Sequence, residues 1–156
     1  MAHRYVITER VQFSETDMAG IVHFSNFFRY MERVEHAFFR SLGFSIWEGH
    51  AADQDEGDRV AWPRVHASCD FKAPLRFEEE VDIELLVEEL RTRTIRYLIR
   101  CWKKDGRLAA EGRMVVACVR RNGEGQLKAT EIPERFRGQI ESAPEEAMVL
   151  PDRPVA

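Results

Sequence analysis

One carboxylate stands between two very different stretches of the sequence. Asp17 lies in a polar, glycine-containing segment, residues 14–20, and an aromatic-rich segment with helical spacing begins at about Phe24. The first amides of a helix have no carbonyl partner inside the helix and carry partial positive charge, so they can polarise a carbonyl oxygen. A carboxylate on one side of a bound carbonyl and amide donors on the other are a minimal arrangement for acyl transfer.

The rest of the sequence favours a thioester over other acyl substrates. It contains no Gly-x-Ser-x-Gly motif, no serine, histidine and aspartate in the order of a hydrolase triad, and no pair of metal ligands. A thiol leaves as a thiolate with a pKa of about 8.5, whereas an alcohol or an amine needs a positioned acid to protonate it. These features favour a thioester over a peptide or an alkyl ester, with Asp17 as a candidate nucleophile or general base.

Other ionisable residues near this junction receive lesser roles. Glu15 belongs to the same polar loop and is expected to be solvated. His23 immediately precedes Phe24 and is an accessory candidate for catalysis. Glu35 falls near the apolar face of the predicted helix and is a rival carboxylate to Asp17. Without further support, an aspartate before a helix is most often a turn or capping residue.

Hydrophobic periodicity predicts the elements that position these residues. Side chains alternate between apolar and polar over residues 4–13, which predicts a strand. Apolar residues at spacings of three and four from about Phe24 predict an amphipathic helix that ends near Gly43, followed by a polar loop over residues 46–58. Short links favour an antiparallel meander of four further strands, and the chain then continues to a short helix over residues 131–140. The four strands are predicted over residues 59–71, 80–91, 94–103 and 108–120.

Composition excludes several classes of function. The 156 residues fit one domain, and the 23 basic and 27 acidic residues are interspersed, without the basic cluster of a nucleic-acid-binding protein. No apolar stretch approaches the roughly 20 residues of a membrane span, and the absence of a secretory signal predicts a cytoplasmic location. Cys69, Cys101 and Cys118 are too widely spaced to suggest a zinc site or a disulfide framework, and buried thiols are expected.

Two segments resemble a known family. FSETDMAGIVHFSNFFRYME, residues 13–32, and FKAPLRFEEEV, residues 71–81, are similar to hotdog-fold acyl-CoA thioesterases of the 4-hydroxybenzoyl-CoA thioesterase type. The signature of that family is an aspartate, a glycine three residues later, a valine, and an asparagine with aromatic residues that open the central helix. Asp17, Gly20, Val22 and Asn26 match it. The resemblance covers roughly residues 6–120.

The resemblance implies an α+β hotdog fold, in which a curved antiparallel sheet of about five strands wraps around one long central helix. We expect a single domain over residues 1–141 and a loose tail over residues 142–156. In such a protein Asp17 is the catalytic carboxylate and the backbone N–H of Phe24 receives the carbonyl oxygen. One branch of the family has Tyr-His where this chain has His23-Phe24, so a histidine at the second position has no counterpart here.

The family also implies an acyl-CoA substrate, no tightly held cofactor, and a homodimer or homotetramer. By analogy of location, Arg91 and Arg93 are the candidates for binding the CoA phosphates. Two other functions fit the same elements. One is a thioesterase that acts on acyl carrier protein, and the other is a non-catalytic acyl-CoA-binding module in which Asp17 is dispensable.

Overall fold

The structure, a computed structural model, describes residues 1–48 and 56–151. Single turns of 3-10 helix lie at Phe13–Glu15 and Glu56–Asp58. No helix in the described ranges is both long and apolar enough to cross a membrane. In chain order the other elements are β1 (Arg4–Arg10), α1 (Ser25–Ser41), β2 (Arg64–Phe71), β3 (Glu80–Leu90), β4 (Thr94–Lys103), β5 (Leu108–Ala117), β6 (Val119–Arg121), β7 (Leu127–Ala129), α2 (Glu134–Arg137) and α3 (Glu145–Met148).

Five of the strands form one antiparallel sheet in the order β1-β3-β4-β5-β2. The predicted meander is correct for β3, β4 and β5, but β2 pairs with β5 at the far edge and not with β3. The link after β2 is therefore a crossover and not a hairpin. Its Leu75 is fully buried, and the Leu75 carbonyl accepts a hydrogen bond from the N–H of Val22 at 2.8 Å, so the link packs into the core under the start of α1.

The inner face of the sheet packs against α1. The helix buries Phe27, Met31, Val34 and Phe38, among others, in the same core as the inward-facing side chains of β3 and β4. A Cβ added at Gly112 of β5 would lie 2.8 Å from the Met31 side chain. The close approach of helix and sheet at this point therefore requires a glycine. The structure confirms the predicted hotdog arrangement of one long helix within an antiparallel sheet.

The outer face of the sheet is covered by the C-terminal segment, which differs from the loose tail expected from residue 142 onwards. Ala143 is buried against Leu86 and Leu98, and its N–H donates to the carbonyl of Val87 at 2.7 Å. The guanidinium of Arg100, which is only 3% exposed, donates to carbonyls of α3. A buried cation with carbonyl partners thus anchors this segment, and residues 152–156 lie outside the described residues.

Several elements are shorter than their patterns predict. β2 begins at Arg64 and not at residue 59, and the helix expected over residues 131–140 is the four-residue α2. The strand expected to reach residue 120 is interrupted at Cys118, where β5 gives way to β6. Residues 49–55 of the predicted loop lie outside the described residues.

Candidate active site

An open cavity of about 540 Å³ lies between the loop after β1, the start of α1 and the link after β2. Its walls are mainly apolar, and among the described residues only Asp17 and Lys72 line it with a charge. The full lining is Asp17, Ile21, Val22, Phe24, Phe27, Phe71, Lys72, Ala73, Pro74 and Leu75. Residues 71–75 were not identified from the sequence as a wall of this cavity. Their inclusion in the segment that resembles the thioesterase family was the available signal.

A tight turn holds Asp17 at the edge of this cavity. The N–H of Asp17 donates to the carbonyl of Ile21 at 2.9 Å, and its own carbonyl accepts from Gly20 at 2.9 Å. Gly20 has a φ of 78°, in the left-handed region that glycine adopts without strain. The carboxylate Oδ1 accepts from the N–H of Ala19 at 2.8 Å. Its second oxygen has no hydrogen-bond partner in the described ranges and is available for chemistry.

The start of α1 provides one free amide beside this carboxylate. The N–H groups of Val22, His23, Ser25 and Asn26 all donate to acceptors of the chain itself. The N–H of Phe24 has no acceptor among residues 1–48 and 56–151. Since Phe24 lines the same cavity as Asp17, its unsatisfied donor can serve a ligand oxygen.

His23 lies on the helix terminus and does not line the cavity. Its Nδ1 lies 2.8 Å from the Ser25 hydroxyl and accepts from the Ser25 N–H at 3.3 Å. The imidazole also packs on the ring of Phe24, with the ring centroids 4.5 Å apart. The side chain therefore satisfies one helix amide and orients the start of α1, while an accessory role in catalysis stays a prediction.

Glu15 is not solvated, contrary to expectation. Its side chain is only 5% exposed, because the 3-10 turn directs it towards α1. There it accepts a hydrogen bond from the Tyr30 hydroxyl and pairs with Arg33. Burial and the bond to Glu15 raise the pKa of Tyr30, so the phenol remains a donor at neutral pH.

Comparison with known proteins gives the family. The profile of the Thioesterase-like superfamily matches residues 11–140. A relative from Aquifex aeolicus (strain VF5), whose name places it among the esterases, is 34% identical over 120 residues, 77% of this chain and 88% of that protein. A 4-hydroxybenzoyl-CoA thioesterase from Pseudomonas sp. (strain CBS-3) is 24% identical over 94 residues, 60% of this chain and 64% of that protein. The solved structure of a gentisyl-coenzyme A thioesterase is 32% identical, with a TM-score of 0.70, over 85% of this chain and 99% of that one.

The chain belongs to the thioesterase-like superfamily. The predicted family and hotdog fold are confirmed, and the predicted enzyme class, a thioester hydrolase, is confirmed at the level of this family. The chain shares with the superfamily its sheet and helix, and these bring Asp17 and Phe24 to one cavity. The roles of individual residues rest on the geometry of this chain.

Glu35, the rival carboxylate, lies in a different environment from Asp17. It is 1% exposed in the middle of α1 and does not line the cavity. Its Oε1 accepts from the Arg64 guanidinium at 2.6 Å, whereas its Oε2 is buried without a hydrogen-bond partner in the described ranges. Burial raises the pKa of Glu35 to about 7 despite the opposing effect of Arg64.

Arg91 and Arg93 lie at the other end of the sheet from Asp17. Arg10, close to the Asp17 loop, pairs with Glu80 at the start of β3, and the two arginines follow the end of that strand. At about 3.3 Å per residue, the eleven residues of β3 separate Glu80 from Arg91 by roughly 30 Å. Arg91 also pairs with Glu89 at 2.8 Å. Within one chain, therefore, these arginines are not part of the Asp17 cavity.

The cysteines and metal ligands provide no alternative centre in the described part of the chain. Cys101 and Cys118 are buried and Cys69 is half-buried, all as free thiols. Burial raises the pKa of Cys69 and of Cys118 to about 11, so neither is an ionised nucleophile at neutral pH. No cluster of three or more His, Cys, Asp or Glu residues that could hold a metal ion occurs among residues 1–48 and 56–151.

Proposed function

We propose that this protein hydrolyses acyl-CoA thioesters, with Asp17 as the catalytic carboxylate and the Phe24 amide as the donor to the carbonyl oxygen. The observation that carries the proposal is that Asp17 and Phe24 line one cavity, while one oxygen of the Asp17 carboxylate and the N–H of Phe24 have no hydrogen-bond partner among the described residues. A thioester carbonyl bound between them is polarised by the amide, and its carbon can be attacked from the side on which Asp17 lies. Membership of the thioesterase-like superfamily supports the same reaction.

The chemistry can follow either of two routes. As a nucleophile, Asp17 attacks the carbonyl carbon, CoA leaves as a thiolate, and water then hydrolyses the mixed anhydride. As a general base, Asp17 accepts a proton from water, which attacks the carbonyl carbon directly. The thiolate needs no general acid in either route, because its pKa is about 8.5. This fits a cavity in which Asp17 is the one acidic side chain that the described residues contribute.

The routes differ in where isotope from labelled water appears. In a single turnover in H₂¹⁸O, the nucleophilic route leaves the ¹⁸O label in the Asp17 carboxylate whenever water attacks the anhydride at the aspartyl carbon. Direct attack by water leaves Asp17 unlabelled. Label found by mass spectrometry in the peptide that contains Asp17 therefore identifies the nucleophilic route.

The acyl group that fits best is aromatic. Phe24, Phe27 and Phe71 all line the cavity, and the rings of Phe27 and Phe71 meet edge to face with centroids 5.3 Å apart. Aromatic acyl groups gain from such edge and face contacts beyond the area they bury. The Pseudomonas relative and the gentisyl-coenzyme A thioesterase also have names that denote aromatic acyl groups.

A thiol-release assay across acyl classes tests the proposed function. The panel contains benzoyl-CoA, 4-hydroxybenzoyl-CoA, acetyl-CoA and hexanoyl-CoA, together with the preferred acyl group on acyl carrier protein. We expect turnover on CoA, highest with an aromatic acyl group, and a loss of about 10²-fold or more in kcat for Asp17→Asn. Binding of acyl-CoA without thiol release would instead identify a non-catalytic module. Faster hydrolysis of the acyl carrier protein thioester than of the acyl-CoA would identify acyl carrier protein as the carrier in the substrate.

A second copy of this chain is the proposed partner. β2 is an edge strand of eight residues, paired on one side only, and it exposes Val65 and Phe71. An exposed, partly apolar edge favours pairing with another strand, and the edge of a second copy is self-complementary about a two-fold axis. We propose a homodimer, which a further contact can extend to a homotetramer, with the CoA phosphates held by Arg91 and Arg93 of a neighbouring chain.

Two measurements test this assembly. Light scattering coupled to size-exclusion chromatography is expected to give twice the 18.2 kDa mass of the chain or a higher multiple. Ala67→Pro, which removes a donor and restricts the backbone within the β2 edge, is expected to lower that mass. Arg91→Gln and Arg93→Gln are expected to raise KM for acyl-CoA with little effect on kcat, and an unchanged KM would contradict their role.

A further inference from the structure

Glu15 is a buried carboxylate in a loop that is otherwise largely exposed. Its side chain is 5% exposed, whereas Phe13 and Met18 on either side are 75% and 108% exposed. Taking a charge out of water is costly unless the charge is paired and hydrogen-bonded. The hydrogen bonds and the ion pair of this carboxylate therefore have to offset the cost of its desolvation. The residues that make these contacts show which parts of the chain Glu15 connects.

The side chain of Glu15 joins the loop to the middle of α1. Its Oε1 accepts from the backbone N–H of Gln12 at 2.8 Å and from the Tyr30 hydroxyl at 2.9 Å. Its Oε2 accepts from the Arg33 guanidinium at 3.1 Å. Tyr30 is fully buried, so it gives the loop a fixed point on the helix. Charge-assisted bonds of this kind are stronger than those between neutral groups.

The main chain of Glu15 joins the same loop to the first turn of α1. Its carbonyl accepts from the N–H of His23 at 2.9 Å and from the side-chain amide of Asn26 at 2.8 Å. His23 directly precedes Phe24, which has the free amide, and Asp17 is two residues beyond Glu15. Glu15 thus connects the start of α1 to the loop that bears the Asp17 carboxylate.

We propose that Glu15 is a positioning residue that fixes the Asp17 carboxylate relative to the Phe24 amide. The inference rests on the proposed function, since it assigns the residue that aligns the two reacting groups of that site. Displacement of a reacting group by about 1 Å can cost about 10²-fold in rate. The expected effect of losing Glu15 is therefore on kcat, beyond any effect on stability.

A matched pair of substitutions separates positioning from stability. Glu48 is also buried, accepts from a backbone N–H, that of Val60 at 2.7 Å, and pairs with an arginine, Arg135 at 2.8 Å. It lies beyond the C-terminal end of α1 and does not line the Asp17 cavity. Glu15→Gln and Glu48→Gln remove the same charge from similar surroundings, so both are expected to lower Tm.

Of this matched pair, Glu15→Gln alone is expected to lower kcat, by about 10- to 10²-fold, with KM changed by less than about 2-fold. Glu48→Gln keeps kcat within about 2-fold of the unmodified protein. Arg33→Gln, which removes only the contact at Oε2, is expected to lower kcat in the same direction but less. Equal kcat for the unmodified protein, Glu15→Gln and Arg33→Gln would overturn the inference.

A double substitution tests whether Glu15 acts through Asp17. In an Asp17→Asn background no carboxylate remains to be positioned, so adding Glu15→Gln is expected to lower the residual turnover by less than about 2-fold. An equal fold-loss in both backgrounds would show a general structural effect and overturn the inference. If Asp17→Asn alone keeps full turnover, the proposed function fails instead.

Hydrogen exchange gives a readout that needs no substrate. The amides of Ala19 and Gly20 donate to Asp17 and report the order of its turn. Glu15→Gln is expected to speed their exchange by about 10-fold or more, and Glu48→Gln is expected to leave it unchanged. Unaltered exchange at both amides in Glu15→Gln would overturn the inference even if no acyl-CoA were hydrolysed.

Discussion

Two carboxylates on or beside the same helix illustrate opposite uses of an acid. Asp17 lies before α1, half-buried at the edge of a cavity, with one oxygen bonded to Ala19 and the other available. Glu35 lies in the middle of α1, 1% exposed, with one oxygen on Arg64 and the other enclosed by protein. The first lines a cavity that a substrate could enter, whereas the second is enclosed in the core and does not line that cavity.

The two environments differ because Asp17 lies before the start of α1 and Glu35 lies within it. The amides at the helix start are not used by the helix itself, so a carboxylate beside them shares its site with a free donor. In the middle of the helix every amide is bonded, and Glu35 lies there on the face that meets the core. Glu35 faces Arg64 from β2 and the Tyr97 ring from β4, with Glu32 and His36 beside it on α1.

The largest predicted effect on stability comes from removing the counter-charge of Glu35. Arg64→Gln leaves a buried carboxyl group without its cation, which is expected to cost about 3–4 kcal/mol of unfolding free energy at pH 8. The cost is expected to be smaller at pH 5, where Glu35 is protonated in the folded state. Urea unfolding at both pH values measures the difference.

Arg113→Gln is the control for this prediction. Arg113 pairs with Glu88 at 3.2 Å, but its side chain is 41% exposed. Its loss is expected to change the unfolding free energy by less than about 1 kcal/mol at either pH. Equal costs for the two substitutions would mean that burial does not distinguish the Glu35 environment.

The second prediction concerns the pH dependence of stability. The folded-state pKa of Glu35 is about 7, above its ordinary value of 4.5, so between these values the folded state holds a proton that the unfolded state has lost. The contribution of Glu35 to stability is therefore fully present below pH 4.5 and is lost as the pH rises through 7, by up to about 3 kcal/mol.

Glu35→Gln isolates this contribution, because other groups such as His36 also titrate. Burial lowers the pKa of His36, and that residue is present in both proteins being compared. The difference in unfolding free energy between the unmodified protein and Glu35→Gln is expected to change steadily between pH 4.5 and 8. A difference that is independent of pH would show that Glu35 ionises alike in both states.

The smallest predicted effect on stability is on the Asp17 side. Gly20→Ala places a side chain at a φ of 78°, and we expect a cost of about 1 kcal/mol. Because the turn that contains Gly20 holds Asp17, kcat is expected to fall more than stability alone would suggest. Gly123→Ala, at a glycine without positive φ and with open space around it, should leave both quantities within error.

Sequence reasoning identified the parts of the site that depend on local pattern. Spacing placed Asp17 before a helix, knowledge of helix termini indicated amide donors at its start, and the resemblance to the thioesterase family pointed to the amide of Phe24. It could not show that Glu15 turns inward, because burial there depends on Tyr30 and Arg33, which are 15 and 18 residues away. Polarity in a loop indicates exposure on average, and this residue departs from the average through contacts at long range.

The fold shows the same division between local and distant information. A strand was predicted over residues 94–103, and β4 covers that range, with Ile95 and Tyr97 fully buried. Strand order was missed where a short link, residues 72–79, connects the edge strand β2 to β3, an interior strand that does not pair with it, since link length alone favours a hairpin. The C-terminal segment was missed because its anchor, Arg100, lies on another element.

The central claim assigns the chemistry to Asp17, which lines the cavity, and not to the buried Glu35. Its most direct test is thiol release from one aromatic acyl-CoA by the Asp17→Asn and Glu35→Gln variants. We expect Asp17→Asn to lose about 10²-fold or more in kcat and Glu35→Gln to keep kcat within about 3-fold at pH 7.5, with both proteins folded by circular dichroism. Full turnover by Asp17→Asn, or its loss in Glu35→Gln alone, would contradict the assignment.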